Sequence, residues 1–147
     1  MSKNLRHALL LLAIIAVISM NALAAGTVTV KILDCQGKYL KEIGSYQAGP
    51  GKTFLVTGLD LELSGSDSDS FFVDSSVFSA IVNGNKYPNS LATYSLGDLG
   101  MPPLQTLTLG NRGKANGYLA FEVPDGTSNF KIAYTGQEDD QVELHEC

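Results

Sequence analysis

The 147-residue chain has no tryptophan, two cysteines, two histidines and five prolines, and it sets only 10 basic residues against 15 acidic ones. The basic residues form no cluster, which argues against nucleic acid and anionic membrane surfaces as partners. Beyond the N-terminal leader the one histidine is His145. A Ser–His–Asp or Cys–His device needs a histidine held by packing and oriented by a third group, and a histidine at the end of a terminal strand has neither. Glu143, His145 and Cys147 share a strand parity, but alternate side chains of one strand converge poorly on a metal ion. No phosphate-cradling glycine loop, dinucleotide fingerprint or basic–aromatic patch is present. These absences predict a protein that is not an enzyme and carries no cofactor.

Only one hydrophobic run is long. Lys3, Arg6 and His7 precede Ala8–Ile18, an unbroken apolar run of 11 residues, and Ala22-Leu23-Ala24 sets small residues at the cleavage spacing. This predicts a secretory signal peptide over residues 1–25 and a single mature domain over residues 26–147, secreted or held in the cell envelope. The alternative is an uncleaved anchor over residues 8–25. Loss of Lys3 and Arg6 with the leader makes the mature chain more acidic, as a solvated surface without a nucleic-acid partner would be.

In an exported chain an even number of cysteines predicts a disulfide, here Cys35 to Cys147. Val28, Val30 and Ile32 form the apolar set of the first strand, and Cys35 has the opposite parity. Val142 and Leu144 form that of the last strand, and Cys147 again has the opposite parity. Two terminal strands paired side by side would therefore present both sulfurs on one outer face. Two free thiols are the alternative.

In place of long runs the sequence has short alternating ones. In Lys114–Pro124, Asn116-Gly117 is a turn signal, Leu119, Phe121 and Val123 alternate with Tyr118, Ala120 and Glu122, and Pro124 ends the run. This predicts a strand over Tyr118–Val123 in the middle of one sheet. Thr53–Ser64 is a longer strand with Leu55, Leu59, Leu61 and Leu63 on one parity. Phe54 and Val56 occupy the other parity in its first half only, so that half is expected to be covered on both faces, with Gly58 marking a bulge. Thr27–Leu33, Phe71–Val73, Ser76–Val82, Leu104–Leu109, Phe130–Tyr134 and Gln141–His145 read as further strands, with a tight turn at Asn83-Gly84-Asn85. Seven to nine short strands with frequent turn signals predict an all-β antiparallel sandwich. There are no internal repeats or interdomain linkers.

Three stretches then stand out together: Thr53–Leu63 (TFLVTGLDLEL), Ser76–Tyr87 (SVFSAIVNGNKY) and Gly117–Pro124 (GYLAFEVP). Their order and spacing resemble the secreted immunoglobulin-like domain of unknown function shared with the mycobacterial immunoprotective extracellular protein. The resemblance spans Gly51–Tyr134 and implies an immunoglobulin-like β-sandwich that is exported. It supplies no catalytic residues to carry over.

Two segments are candidate sites. Asp67, Asp69 and Asp74 form the best oxygen-ligand cluster, of a kind calcium uses in flexible extracellular turns, although Phe71 breaks the EF-hand pattern. A plain polar turn is the competing expectation. Tyr94–Pro103 is too apolar for a solvated loop. It is expected to fold over an open end of the sandwich and cap the core, and the alternative is that Tyr94, Leu96, Leu99 and Met101 face a partner. The function these features favour is a binding module for an extracellular protein or small ligand. The alternative is a structural subunit of an extracellular filament or surface assembly that pairs through its terminal strands, with or without calcium.

Overall fold

The computed structural model describes residues 26–33, 37–65, 70–135 and 141–146. In chain order the strands are β1 (Gly26–Ile32), β2 (Lys38–Leu40), β3 (Glu42–Ile43), β4 (Tyr46–Gln47), β5 (Lys52–Gly65), β6 (Ser70–Val73), β7 (Phe78–Val82), β8 (Asn85–Pro88), β9 (Leu107–Gly110), β10 (Lys114–Pro124), β11 (Lys131–Thr135) and β12 (Gln141–Glu146). Two 3₁₀ helices, Ser75–Val77 and Leu91–Leu99, complete the described elements.

The 14-residue strand β5 is the middle of the first sheet. Along one edge it pairs with β1, from Gly26↔Gly65 to Ile32↔Leu59, and then with β2, from Lys38↔Val56 to Leu40↔Phe54. Its other edge carries β10. The second sheet runs β12-β11-β7-β8, and the pairs β3–β4 and β6–β9 form two small ladders. Every ladder between these strands is antiparallel. The architecture is an antiparallel β-sandwich of immunoglobulin-like type. Among the described residues there are twelve strand segments rather than seven to nine, because several pairings last only two to four residues.

Alternation along β5 sorts its side chains between two cores. Leu55, Leu59, Leu61 and Leu63 join Leu119, Phe121 and Val123 of β10 and meet Phe78, Ala80, Val82, Ile132 and Tyr134 of the opposite sheet. The Phe78 and Tyr134 rings meet edge to face with centroids 5.0 Å apart. Phe54 and Val56 face the other way and, with Ala120, pack against Ile43, Ala92 and Leu96. The two-sided first half of β5 read from the sequence is thus a second, smaller core outside the sandwich proper. The Asn83-Gly84 turn is also as read: both residues take positive φ (50° and 79°), and Val82 pairs with Asn85.

Four expectations need correction. Asn116-Gly117 is not a turn, since both residues lie inside β10, paired with Asp60 and Leu59, and the chain reverses instead near Arg112 (φ 59°). β10 flanks the middle strand and is not itself the middle. Gly58 carries no bulge. It stays in register opposite Tyr118, and a Cβ there would meet Tyr118 Cε1 at 3.1 Å and the Leu33 side chain at 3.2 Å. The change of register lies on the other edge of β5, where Leu33 meets Gly58 and Lys38 already meets Val56. Finally, β1 and β12 belong to different sheets, so the terminal strands are not paired side by side. The parity argument loses that pairing as its premise. Cys35 and Cys147 themselves lie outside the described residues.

Candidate functional site

The Leu91–Leu99 helix is built by local signals at both ends. Ser90 accepts the Ala92 N–H with its hydroxyl at 3.2 Å, as an N-cap does. Gly100 ends the helix at φ 72°, a conformation that favours glycine, and its N–H donates to the Gly97 carbonyl at 3.0 Å. Three residues per turn stack Leu91, Tyr94 and Gly97 on one ridge. The opposite side buries Ala92, Thr93 and Leu96 completely.

This segment also finishes the free edge of β10. The Thr93 hydroxyl accepts the Ala120 N–H at 2.8 Å and donates to Asn89 Oδ1 at 2.6 Å, while the Ser90 N–H donates to the Ala120 carbonyl at 2.8 Å. Further on, the Tyr118 N–H donates to Pro102 O at 2.9 Å and the Leu104 N–H to Tyr118 O at 3.0 Å. Residues 89–104 are thus stitched to β10 at two places. The segment covers the outer face and one edge of the first sheet, not an open end of the sandwich. The expectation of a cap was correct in kind and misplaced by one face.

The predicted contact residues separate accordingly. Leu96 is fully buried and Met101 is half-buried against the second core. Tyr94 and Leu99 remain 60% and 47% exposed, and Leu91, which the sequence reading missed, is 66% exposed. The spacing of three between Leu91 and Tyr94, just after a capping Ser90, was the available signal.

Asp74 has a structural role. Its Oδ1 accepts the Ser76 N–H at 2.9 Å and the Ser76 hydroxyl at 2.7 Å, which starts the short 3₁₀ turn at Ser75–Val77. Asp67 and Asp69 lie outside the described residues. Among the described residues no group of three or more His, Cys, Asp and Glu side chains is placed to hold a metal ion. Because Asp74 Oδ1 is already engaged by Ser76, calcium or EDTA is expected to leave the thermal unfolding midpoint where it is, and a clear rise with calcium in calorimetry would assign the acidic turn as a site. Beside Asp74, burial first and the aspartate second hold the Tyr134 phenol above its ordinary 10.0, so it stays a neutral donor to the Phe72 carbonyl at 3.2 Å. The ion pairs Lys41–Asp125, Lys52–Glu122 (3.9 Å) and Lys114–Glu62 (3.3 Å) lie largely exposed at the surface, where such pairs contribute little.

The family model described as a domain of unknown function, DUF4352, matches residues 22–141. No curated protein matches the sequence. Among solved structures, the secreted protein MPT63 of Mycobacterium tuberculosis superposes with a TM-score of 0.64 at 12% identity, over 86% of this chain and 88% of that one. The ycdA protein of Bacillus subtilis superposes with a TM-score of 0.54 at 16% identity, over 81% of this chain but only 36% of its own. At these identities the likeness is one of fold. Among the described residues no helix is long and apolar enough to cross a membrane.

Proposed function

The chain belongs to the DUF4352 family, and we propose that it is an exported, non-catalytic binding module whose contact surface is the outer ridge of the Leu91–Leu99 helix. One contrast within nine residues carries this reading. Ala92, Thr93 and Leu96 fix the helix against β5 and β10, while Leu91 and Tyr94 on the outward ridge and Leu99 at the last position of the helix stay exposed over a backbone held at both ends. Single exposed apolar residues are ordinary. Several on one rigid support are what a partner would bury, and preorganisation lowers the entropy lost on binding. The acidic balance and the scattered lysines favour an extracellular protein or small ligand over nucleic acid.

In this reading residues 1–25 are a leader and residues 26–147 the working domain, closed by a Cys35–Cys147 disulfide. The even count of two cysteines in a chain read as exported supports the link. Intact mass after thiol alkylation is expected to find a chain starting near residue 26 and two hydrogens short of the reduced mass. A full-length mass with two alkylated thiols would refute both statements.

The contact surface is tested by placing a photo-crosslinking amino acid at position 94 in the exporting cell. The expected result is one recurrent partner, lost when Leu91 and Leu99 are both changed to Ser. Leu91→Ser, Tyr94→Ser and Leu99→Ser are each expected to change stability by no more than ~0.5 kcal/mol, because these side chains are mostly exposed. Absence of any recurrent cross-link would sink the binding module, and cross-links from position 94 to further copies of the chain would replace it with the assembly subunit.

A further inference from the structure

The chain holds two Asn-Gly dipeptides, Asn83-Gly84 and Asn116-Gly117, and the fold treats them oppositely. Asn83 and Gly84 make up the β7–β8 turn, beyond the last ladder pair of Val82 with Asn85. Both are exposed, both take positive φ, and a Cβ at Gly84 would meet nothing within 4 Å. Among the described residues no acceptor meets the Gly84 N–H. Asn116 and Gly117 lie inside β10, opposite Asp60 and Leu59. There the Tyr118 N–H and C=O bond outward, to Pro102 and Leu104, so the alternation of an antiparallel ladder turns the Gly117 N–H toward Leu59. Gly117 is also buried, with the Leu104 backbone packed against it. Asn89 precedes a small residue too, Ser90, but its Oδ1 receives the Thr93 hydroxyl at 2.6 Å.

We propose that Asn83 is a self-modification site, where the Gly84 nitrogen closes on the Asn83 side chain and converts it to aspartate and isoaspartate. In the first step Gly84 N gives up its proton and bonds to Asn83 Cγ, and the Cγ–Nδ2 bond breaks with release of ammonia. The product is a five-membered cyclic imide. Water then adds to one of its two carbonyls and the ring opens. One opening leaves an aspartate, and the other an isoaspartate whose main chain runs through Cγ. Water is the only co-reactant. Glycine permits the closure, because it has no Cβ to crowd the approaching nitrogen and its dihedrals are the least restricted. The turn must leave its resting dihedrals to bring the nitrogen onto Cγ, and an exposed two-residue reversal does so without opening the ladder. For Asn116 the same movement requires the Gly117 N–H to leave Leu59 and the Leu104 backbone to withdraw. Isoaspartate adds one main-chain carbon to a turn that joins Val82 to Asn85 in two residues, so it loosens the pairing of β8. The modification accumulates with the age of the molecule and does not depend on the binding-module reading.

The test incubates the purified exported protein in warm, mildly alkaline buffer and follows the peptides holding Asn83 and Asn116 by mass spectrometry. The Asn83 peptide is expected to gain the mass of water and lose that of ammonia, faster as the pH is raised, with isoaspartate among the products. It is expected to convert at least about 100-fold faster than the Asn116 peptide, whose reaction waits on opening of the sheet. In denaturant the two rates are expected to converge, because both dipeptides are then free to close. Rates that stay apart there would place the difference in the flanking sequence and overturn the protection by the fold. Asn83→Gln, which would have to close a six-membered ring, is expected to hold its mass in the folded protein. An Asn83 amide that survives as long as the Asn116 amide would overturn the site. Aspartate at position 83 without isoaspartate would mean direct hydrolysis and overturn the ring closure.

Discussion

Gly117→Ala is expected to destabilise the domain by at least about 3 kcal/mol, a loss at the large end for a single added methyl. A Cβ at this position would lie 2.4 Å from both Cα and N of Leu104 and 2.8 Å from the Pro103 carbonyl carbon. All three atoms are backbone, so no rotamer change relieves the clash. Nor can the segment withdraw freely, because Leu104 is buried in the main core and its N–H bonds Tyr118 O on the same strand. Withdrawal would also break the bond from the Tyr118 N–H to Pro102 O, leaving the β10 edge unpaired there. Gly110→Ala is the control. Its Cβ would meet nothing within 4 Å and its φ is not positive, so chemical denaturation is expected to move by no more than ~0.5 kcal/mol. Equal effects at the two glycines would mean that the close approach at Gly117 is not what holds the strand.

Gly117 also marks where the sequence stops being legible. Asn-Gly between apolar residues is a strong hairpin signal because both residues tolerate positive φ. Here the glycine serves a different need, the close approach of a backbone distant by a dozen residues, and nothing within its own strand reports that. Gly58 misleads in the same way: its missing side chain leaves space for Tyr118 and Leu33 from neighbouring segments. Where the cause is local, the reading holds. The alternation of Leu55, Leu59, Leu61 and Leu63 against Phe54 and Val56 reports two burial environments directly, and both cores exist. Asn83-Gly84 is a turn because Val82 and Asn85 need a two-residue reversal. The pairing of β1 and β12 was out of reach because sheet membership depends on partners dozens of residues away. The candidate site was legible in composition but not in orientation. Leu96, Leu99 and Met101 announce an apolar segment, yet a spacing of three puts Leu96 and Leu99 on one ridge and does not tell that the first is buried while the second, at the last position of the helix, is 47% exposed.

Thr93→Val is expected to lower stability by about 2–3 kcal/mol and the thermal midpoint by roughly 10 °C. The substitution keeps the shape of the side chain and removes only its hydrogen bonds. Thr93 is completely buried, and its hydroxyl is the acceptor for the Ala120 N–H, a group on the β10 edge that β5 does not reach. Valine would leave that donor buried without a partner, and it would also deprive Asn89 Oδ1 of the hydroxyl proton it receives at 2.6 Å. An unmet buried donor destabilises by far more than a met one stabilises, because the lost water is not replaced. Thr93→Ser keeps the hydroxyl and loses only a methyl, so it is expected to retain most of the stability. The ordering of the two variants therefore separates a hydrogen-bonding role from a packing one. If serine destabilises as much as valine, the methyl and not the hydroxyl fastens the helix. If valine alone destabilises, the Leu91–Leu99 segment is held by the same edge that β10 would otherwise expose, and a sheet edge and a presented ridge depend on one hydroxyl. In that case Thr93→Val is expected also to weaken cross-linking from position 94, although Thr93 itself is buried and reaches no partner.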